Sequence, residues 1–276
     1  MKLKRLNRGL SASLQKYLGV YSIALKEVLY YPQKLQATLV IVPFRIFVLL
    51  MIYSYAFSYI GKSINGINAN IAIWSIAIYH ILLYTQFRGI FRTINEDIRR
   101  GNLETQLNKP YGYLVYKFWE HLGKGLPNLL ISFFAVIPLL YFLTGGLPST
   151  LSVTDYFGAF CLIIGGTLVS AVLYILIVLP ALWIDDAQPF YWIVDKAILI
   201  LGGAYIPLAL MPKGFQTFAN ITPFGAPMFA TQMFNPSFSE NWFYLFFVQV
   251  IWIILILFAI TGVFGMAQRR LSVNGG

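Results

Sequence analysis

Residues 93–125, TINEDIRRGNLETQLNKPYGYLVYKFWEHLGKG, form the longest charged interval of a chain that is otherwise mostly apolar. The interval holds Arg99, Arg100, Lys109, Lys117 and Lys124 beside Glu96, Asp97, Glu104 and Glu120. Apolar runs flank it on both sides, each long enough to cross a bilayer. It therefore reads as a polar hinge between two membrane spans. Carrying charges of both signs, it is better suited to docking than to simple solubilisation.

The rest of the composition sets the same context. The chain has 276 residues, 58% hydrophobic, 17% aromatic and only 11% charged, where a soluble domain carries about 25% charged residues. Apolar stretches of roughly 18 residues or more recur, the signature of transmembrane helices. Backbone in lipid must satisfy its own hydrogen bonds, leaving helices or closed barrels. The runs are continuous rather than alternating, so the expected fold is an all-α polytopic membrane protein. The net charge of +10 would point to nucleic acid in a soluble protein; here it follows from the positive-inside bias of membrane proteins. A single cysteine, Cys161, excludes an internal disulfide. The basic start MKLKRLNRGL is not followed by a compact apolar core with a cleavage site, and it reads as mature rather than as a signal peptide.

On the N-terminal side of the hinge, residues 1–34 form a cytoplasmic N-terminus with an amphipathic helix over 9–31. Leu10, Leu14, Leu18, Tyr21, Leu25 and Val28 recur at helical spacing, with Ser11, Ser13, Gln15, Lys16, Lys26 and Glu27 mainly elsewhere, and Pro32 ends the pattern. The helix either lies in the membrane interface with its basic residues on anionic head groups or packs on the protein's own cytosolic loops. Residues 35–264 are expected to hold six spans, at 35–60, 71–91, 126–143, 156–183, 190–210 and 242–264. The hinge loop occupies 92–125, an outer segment 211–241, and a cytoplasmic tail 265–276. Seven Lys and Arg fall at or before Lys34, seven from Arg88 to Lys124 and two in the tail, against Lys62 and Lys213 on the other side. Both termini and the hinge are thus expected on the cytoplasmic side of a cell (inner) membrane. Trp183, Trp192 and Trp242 fall near span ends, as an aromatic belt requires. Gly202-Gly203, Pro207, Pro212, Pro223, Pro227 and Pro236 interrupt the fifth span and its sequel. Irregular backbone at membrane depth survives only where protein or a wet cavity covers it, which predicts a re-entrant outer hairpin that partly lids a translocation path.

The chain offers little catalytic chemistry. It contains no HExxH, cysteine cluster or GxSxG, and Gly61-Lys62-Ser63 lacks the glycine of a phosphate loop, Ala56 standing in its place. No enzymatic activity, metal or cofactor is expected of this chain. Ionisable residues within spans are costly and carry a functional hypothesis by default. Arg45, His80 and Asp195, with Tyr205 and Pro207 at the broken fifth span, are the candidate residues of a translocation path. Structural alternatives stand beside them: Arg45 can snorkel to the interface, and Asp195-Lys196 can pair with neighbouring helices. Asp185-Asp186 fit a helix turn, and Gly165-Gly166 and Gly202-Gly203 fit close helix packing.

Within the hinge, Thr93-Ile94-Asn95-Glu96 fits a capping box at a helix start, and Gly101 breaks that helix. Asn102 can cap a second short helix that places Leu103 and Leu107 one turn apart on one face, with Pro110 as its stop. Such a helix can enter a groove on another protein; alternatively, Leu103 and Leu107 are buried against the protein's own interfacial helices.

The order EDIRRGNLETQLNKP at residues 96–110, followed by Lys117, resembles the first cytoplasmic loop of ABC-2-type export permeases, the membrane subunits of ATP-binding-cassette exporters. The likeness extends over the N-terminal helix, the six spans, the broken fifth span and the ending RRLSVNGG. That ending is similar to a subfamily once labelled only as a domain of unknown function. The resemblance implies a coupling helix, with Glu96, Asp97, Arg99, Arg100, Gly101, Leu103, Glu104, Leu107 and Pro110 docking on a separate ATPase subunit. Two copies of that subunit would bind ATP and Mg and work with two permease chains, identical or paralogous, in membrane lipid. The cargo implied is amphiphilic or hydrophobic: a drug, lipid, glycan or peptide. Two rivals remain at this point: a membrane-embedded lipid-modifying enzyme using His80 or Asp185-Asp186, and an ATPase-independent channel or scaffold.

Overall fold

The computed structural model describes residues 2–274 apart from positions 62, 65, 86 and 185, and it leaves undescribed the side chains of 2–13, 34, 60, 85, 104 and 267–274. Lys62, Asp185, the Glu104 side chain, and the side chains of the N-terminal basic cluster and of the RRLSVNGG ending lie outside the described residues. Among the described residues the regular structure is helical: α1 (Lys2–Tyr30), α2 (Gln33–Ile60), α3 (Ala69–Leu82), α4 (Arg88–Arg99), α5 (Leu103–Leu107), α6 (Tyr113–Thr144), α7 (Val153–Val178), α8 (Ala181–Ile184), α9 (Gln188–Leu201), α10 (Lys213–Ile221) and α11 (Phe238–Asn274). Tight 3-10 turns at Leu83–Thr85, Leu208–Leu210 and Ala226–Gln232 join them.

Local chemistry sets several helix ends. The Asn68 side chain accepts the Ile71 N–H at 2.8 Å and starts α3. Ser152 and Asp155 form a reciprocal capping box at the start of α7, satisfying two N–H groups that the first turn cannot bond internally. Gly145, left-handed at φ 74°, closes α6, a conformation that glycine adopts without steric cost.

Four helical stretches are long and apolar enough to cross a membrane: Leu35–Tyr59, Tyr113–Thr144, Val153–Ile184 and Phe238–Met266. The chain is thus a helical protein of membrane type. The remaining two expected spans are shorter. Helices α3 and α9 have 14 residues each, about 21 Å at 1.5 Å per residue, against a hydrocarbon core of about 30 Å. The expected run 71–91 divides at the turn Leu83–Thr85, and its end belongs to α4. The run 190–210 stops at Gly202-Gly203, where Gly203 turns left-handed at φ 80°. Conversely, the third span is longer than the apolar run 126–143, because α6 has 32 residues and includes Lys117, Glu120 and Lys124.

Helix α7 is the hub. Of its spanning window 72% is buried, against 22%, 22% and 28% for the other three. It packs on α11, on the turn Ala226–Gln232, on α4 and on α9. Gly165 and Gly166 make two of these approaches possible. A Cβ on Gly166 would lie 2.5 Å from the Pro227 carbonyl oxygen, and one on Gly165 would lie 2.1 Å from Gln249 Oε1. The fully buried Gln249 of α11 donates through Nε2 to the carbonyls of Ala226 at 2.8 Å and Leu162 at 3.1 Å. One amide thereby ties α11, α7 and the outer segment together.

Helix α1 docks along the first half of α6. The N–H of Gly112 donates to Tyr17 Oη at 3.1 Å, Tyr21 meets Trp119 edge-on, and Glu27 pairs with Lys124 at 3.2 Å. Gly123 lets the backbones touch, since a Cβ there would lie 2.6 Å from the Tyr21 carbonyl oxygen. At 100° per residue, Tyr17, Tyr21, Ala24 and Val28 share the docked side. Leu14, Leu18, Leu25 and Leu29 form an adjacent apolar sector, with Leu14, Leu18 and Leu29 exposed. Gln15, Lys16 and Lys26 are exposed on the remaining side, with Glu27 at its edge reaching Lys124. Both expected placements of this helix thus have a face to serve them.

Gly123→Leu should lever α1 off α6, because the Tyr21 backbone cannot yield as a side chain would. Limited proteolysis is expected to cut residues 14–31 of the variant where the parent resists. Equal protection in both would show that α1 is not held by this contact.

Candidate functional site

The charged hinge folds into an elbow, α4 then α5, braced from within. Ile90, Phe91 and Ile94 are buried and Ile98 packs against the same core, a continuous apolar stripe that carries the helix through the predicted start at Thr93. The capping box expected at Thr93-Glu96 is therefore not formed: α4 begins at Arg88, and the Thr93 hydroxyl donates to the Ile90 carbonyl at 3.1 Å. Gly101, left-handed at φ 69°, makes the turn into α5.

Buried polar contacts clamp this elbow to three neighbours. Toward α6, Asp97 Oδ2 pairs with Lys117 Nζ at 2.9 Å and accepts from Tyr113 Oη at 2.7 Å. Glu120, 3.9 Å from Lys117, continues the chain of charges to Lys124 at 2.9 Å, and Lys124 reaches Glu27 of α1 at 3.2 Å. Toward α9, Arg88 Nε pairs with Asp195 Oδ1 at 2.7 Å, and Tyr174 Oη of α7 donates to the same oxygen at 2.9 Å. Asn95, buried, donates to Asp186 Oδ1 at 3.1 Å and accepts the Ala187 N–H at the start of α9. The Gln188 N–H, the Asn95 amide and the nearby Arg99 hold the Asp186 carboxyl below the usual carboxylate range. Toward α7, the Phe87 N–H donates to Ser170 Oγ at 3.0 Å, and Phe91 stacks near Tyr191 of α9 at 4.8 Å between centroids.

The outer surface of the elbow is different. Glu96, Arg99, Arg100, Gly101, Lys109 and Pro110 line it, and all six are exposed. The pairs Arg100–Glu96 at 3.9 Å and Arg99–Asp186 at 4.0 Å are loose and solvated, the kind worth about 0–1 kcal/mol. Leu103 and Leu107 do not form an outward stripe. Leu103 is buried at 5% exposure, and Leu107 is partly buried against the same core. Of the two placements open for these leucines in the sequence, the structure has burial on the protein's own helices. The outward surface of the elbow is charged and polar.

A second feature lies at the level of the spans. A cavity of about 580 Å³ opens between α2, α3 and α9, lined by Arg45, His80, Arg88 and Tyr205 among apolar neighbours. Three of the five path residues singled out by sequence thus come together. Asp195 does not line the cavity but sits behind Arg88 as its counter-ion. Pro207 is buried and starts the turn Leu208–Leu210. The Nδ1–H of His80 donates to the Ile76 carbonyl at 2.9 Å, leaving Nε2 as an acceptor. Arg88 was legible only as the first basic residue of the interval from Arg88 to Lys124, inside the end of the expected span 71–91, with nothing in the sequence to bring it beside His80. Asp186 lies at the turn into α9 and is not among the residues lining the cavity with His80. Among the described residues no group of three His, Cys, Asp or Glu is placed to hold a metal ion.

No family model, curated protein or solved structure matches the chain.

Proposed function

We propose that the chain is the membrane subunit of an ATP-driven exporter of the ABC-2 permease type, moving an amphiphilic or hydrophobic cargo. ATP and Mg are bound by a separate nucleotide-binding subunit present in two copies, and a second permease chain, identical or paralogous, completes the assembly. The observation that carries the proposal is the elbow: a helical surface with exposed charges, tied by buried pairs to α6, α7 and α9. A push on such a surface cannot be absorbed locally and must move the helices behind it.

In this assembly α3 and α9 complete six crossings as short helices, each extended by the irregular chain beside it. The outer segment 211–241 is re-entrant. In support, the turn Ala226–Gln232 meets α7 at Gly166, 13 residues after Val153, or about 20 Å into the helix. Both termini and the elbow face the cytoplasm of a cell (inner) membrane, as the Lys and Arg distribution requires. Helix α1 lies in that interface, its apolar sector at Leu14, Leu18, Leu25 and Leu29 meeting lipid beside its docked side.

Affinity purification in mild detergent is expected to recover a stoichiometric ATP-binding-cassette subunit. Arg99→Glu with Arg100→Glu should cut that recovery by about ten-fold, equivalent to about 1.4 kcal/mol, while the variant stays monodisperse. These exposed side chains are chosen because Leu103→Asp would disrupt the protein's own core. Recovery of the parent chain alone, repeated in lipid nanodiscs, would favour a channel or scaffold. Undiminished recovery with the double variant would remove the docking assignment.

A further inference from the structure

The cavity between α2, α3 and α9 has a charge problem that its own residues do not solve. Arg45 stands ten residues after Leu35 in the spanning stretch Leu35–Tyr59, about 15 Å along the helix and so near the middle of a bilayer core. An arginine there costs several kcal/mol unless it is paired or hydrated. Arg45 is exposed and makes no ion pair with any described residue, whereas Arg88 across the cavity has its own carboxylate in Asp195. No Asp or Glu lines the cavity. Arg88 Nη2 is buried without a hydrogen-bond partner, a donor whose desolvation is uncompensated.

The rim has the opposite character. Ile41, Phe44 and Val48, at three- and four-residue spacing on α2, line the cavity beside Arg45 and are exposed at 52%, 67% and 40%. Tyr205, also exposed, stands at the break after α9. A cation would be repelled by two guanidinium groups. A small inorganic anion would have no use for the apolar rim. An anionic head group on an apolar tail matches both parts.

We propose that this cavity binds the anionic head group of an amphiphile, with Arg45 as its main counter-charge, Arg88 as a second positive charge behind it, and the tail along Ile41, Phe44 and Val48. The phosphate of a phospholipid and the carboxylate of a fatty acid share this chemistry. The assignment deepens the exporter proposal by naming its cargo class, but binding is read on the purified chain alone, so its failure is separate from failure to find an ATPase.

The experiment measures binding of dioleoylphosphatidylglycerol, oleate and dioleoylphosphatidylcholine to the detergent-purified chain by native mass spectrometry. At least one anionic probe is expected to bind about ten-fold more tightly than phosphatidylcholine, the worth of one charge-assisted hydrogen bond. Whichever anion binds better identifies a phosphate or a carboxylate ligand. Arg45→Gln should abolish the preference, and Arg45→Lys should keep most of it; the exposure of Arg45 means that both should fold. Lys16→Gln with Lys26→Gln, which removes charge only from α1, should leave it unchanged. No preference in the parent, a preference that survives Arg45→Gln, or one lost with the α1 charges would each overturn the proposal, the last by assigning the lipid to the membrane interface.

Discussion

Asp195→Asn is expected to lower the unfolding temperature of the purified chain by roughly 10 °C, on the scale of about 2–4 °C per kcal/mol for chains of comparable size. The carboxylate takes Arg88 Nε at 2.7 Å and Tyr174 Oη at 2.9 Å, and the Asp195 and Arg88 side chains are only 10% and 25% exposed. Neutralising Asp195 leaves a guanidinium three-quarters buried with no counter-ion, and breaking a buried pair in this way costs about 3–5 kcal/mol. Removing both charges behaves differently. Arg88→Met with Asp195→Leu should recover at least half of the lost stability, because hydrophobic replacements of a buried pair are often neutral or better. The non-additivity of that cycle is the measurement. A single variant that unfolds within about 1–2 °C of the parent, less than one kcal/mol on that scale, would mean that the pair does not hold α4 to α9. The elbow would then be held to α9 by Asn95 and the Phe91–Tyr191 contact.

Gly166→Leu should be nearly as damaging, for a steric reason. The new Cβ would meet the Pro227 carbonyl oxygen at 2.5 Å and its carbonyl carbon at 3.0 Å, both backbone atoms. That backbone cannot withdraw freely, because the neighbouring Ala226 carbonyl is held by Gln249 and residues 226–231 are buried. Overpacking of this kind costs about 1–3 kcal/mol or more, and the outer segment should be displaced from α7. Gly262 supplies the control: nothing lies within 4 Å of its Cβ position in α11. Gly262→Ala should be neutral or stabilising by about 0.5–1 kcal/mol. Equal melting of the Gly166→Leu and Gly262→Ala variants would show that the approach at Pro227 is not tight.

Much of the candidate site was legible before the fold was known, though unevenly. Arg45 and His80 stood out because a charge or imidazole in an apolar run is rare and costly, and both line the same cavity. Asp195 stood out for the same reason but serves as the partner of Arg88, the structural alternative already weighed for it. The elbow was visible as a charged interval between apolar runs, yet its orientation was not. Leu103 and Leu107 share a face in either case, and only the packing of Leu103 into the core decides that the outward surface is Arg99, Arg100 and Lys109. The start of α4 was misplaced at Thr93 because a capping pattern is local, while the apolar stripe from Ile90 to Ile98 overrides it.

The class of the protein was already written in hydropathy summed along the chain and in the positions of Gly and Pro. Helices long enough to cross a membrane, a basic amphipathic start, a charged elbow and a broken segment after α9 are properties that each stretch carries alone. Which charges meet is a matter of packing between stretches. Arg88 finds Asp195, Lys117 finds Asp97, and Arg45 is left facing a cavity with no described counter-ion. Those outcomes depend on how each helix is rotated and how closely it crosses its neighbour. Contacts such as Gly123 on Tyr21 and Gly166 on Pro227 set that geometry, and no single helix encodes it.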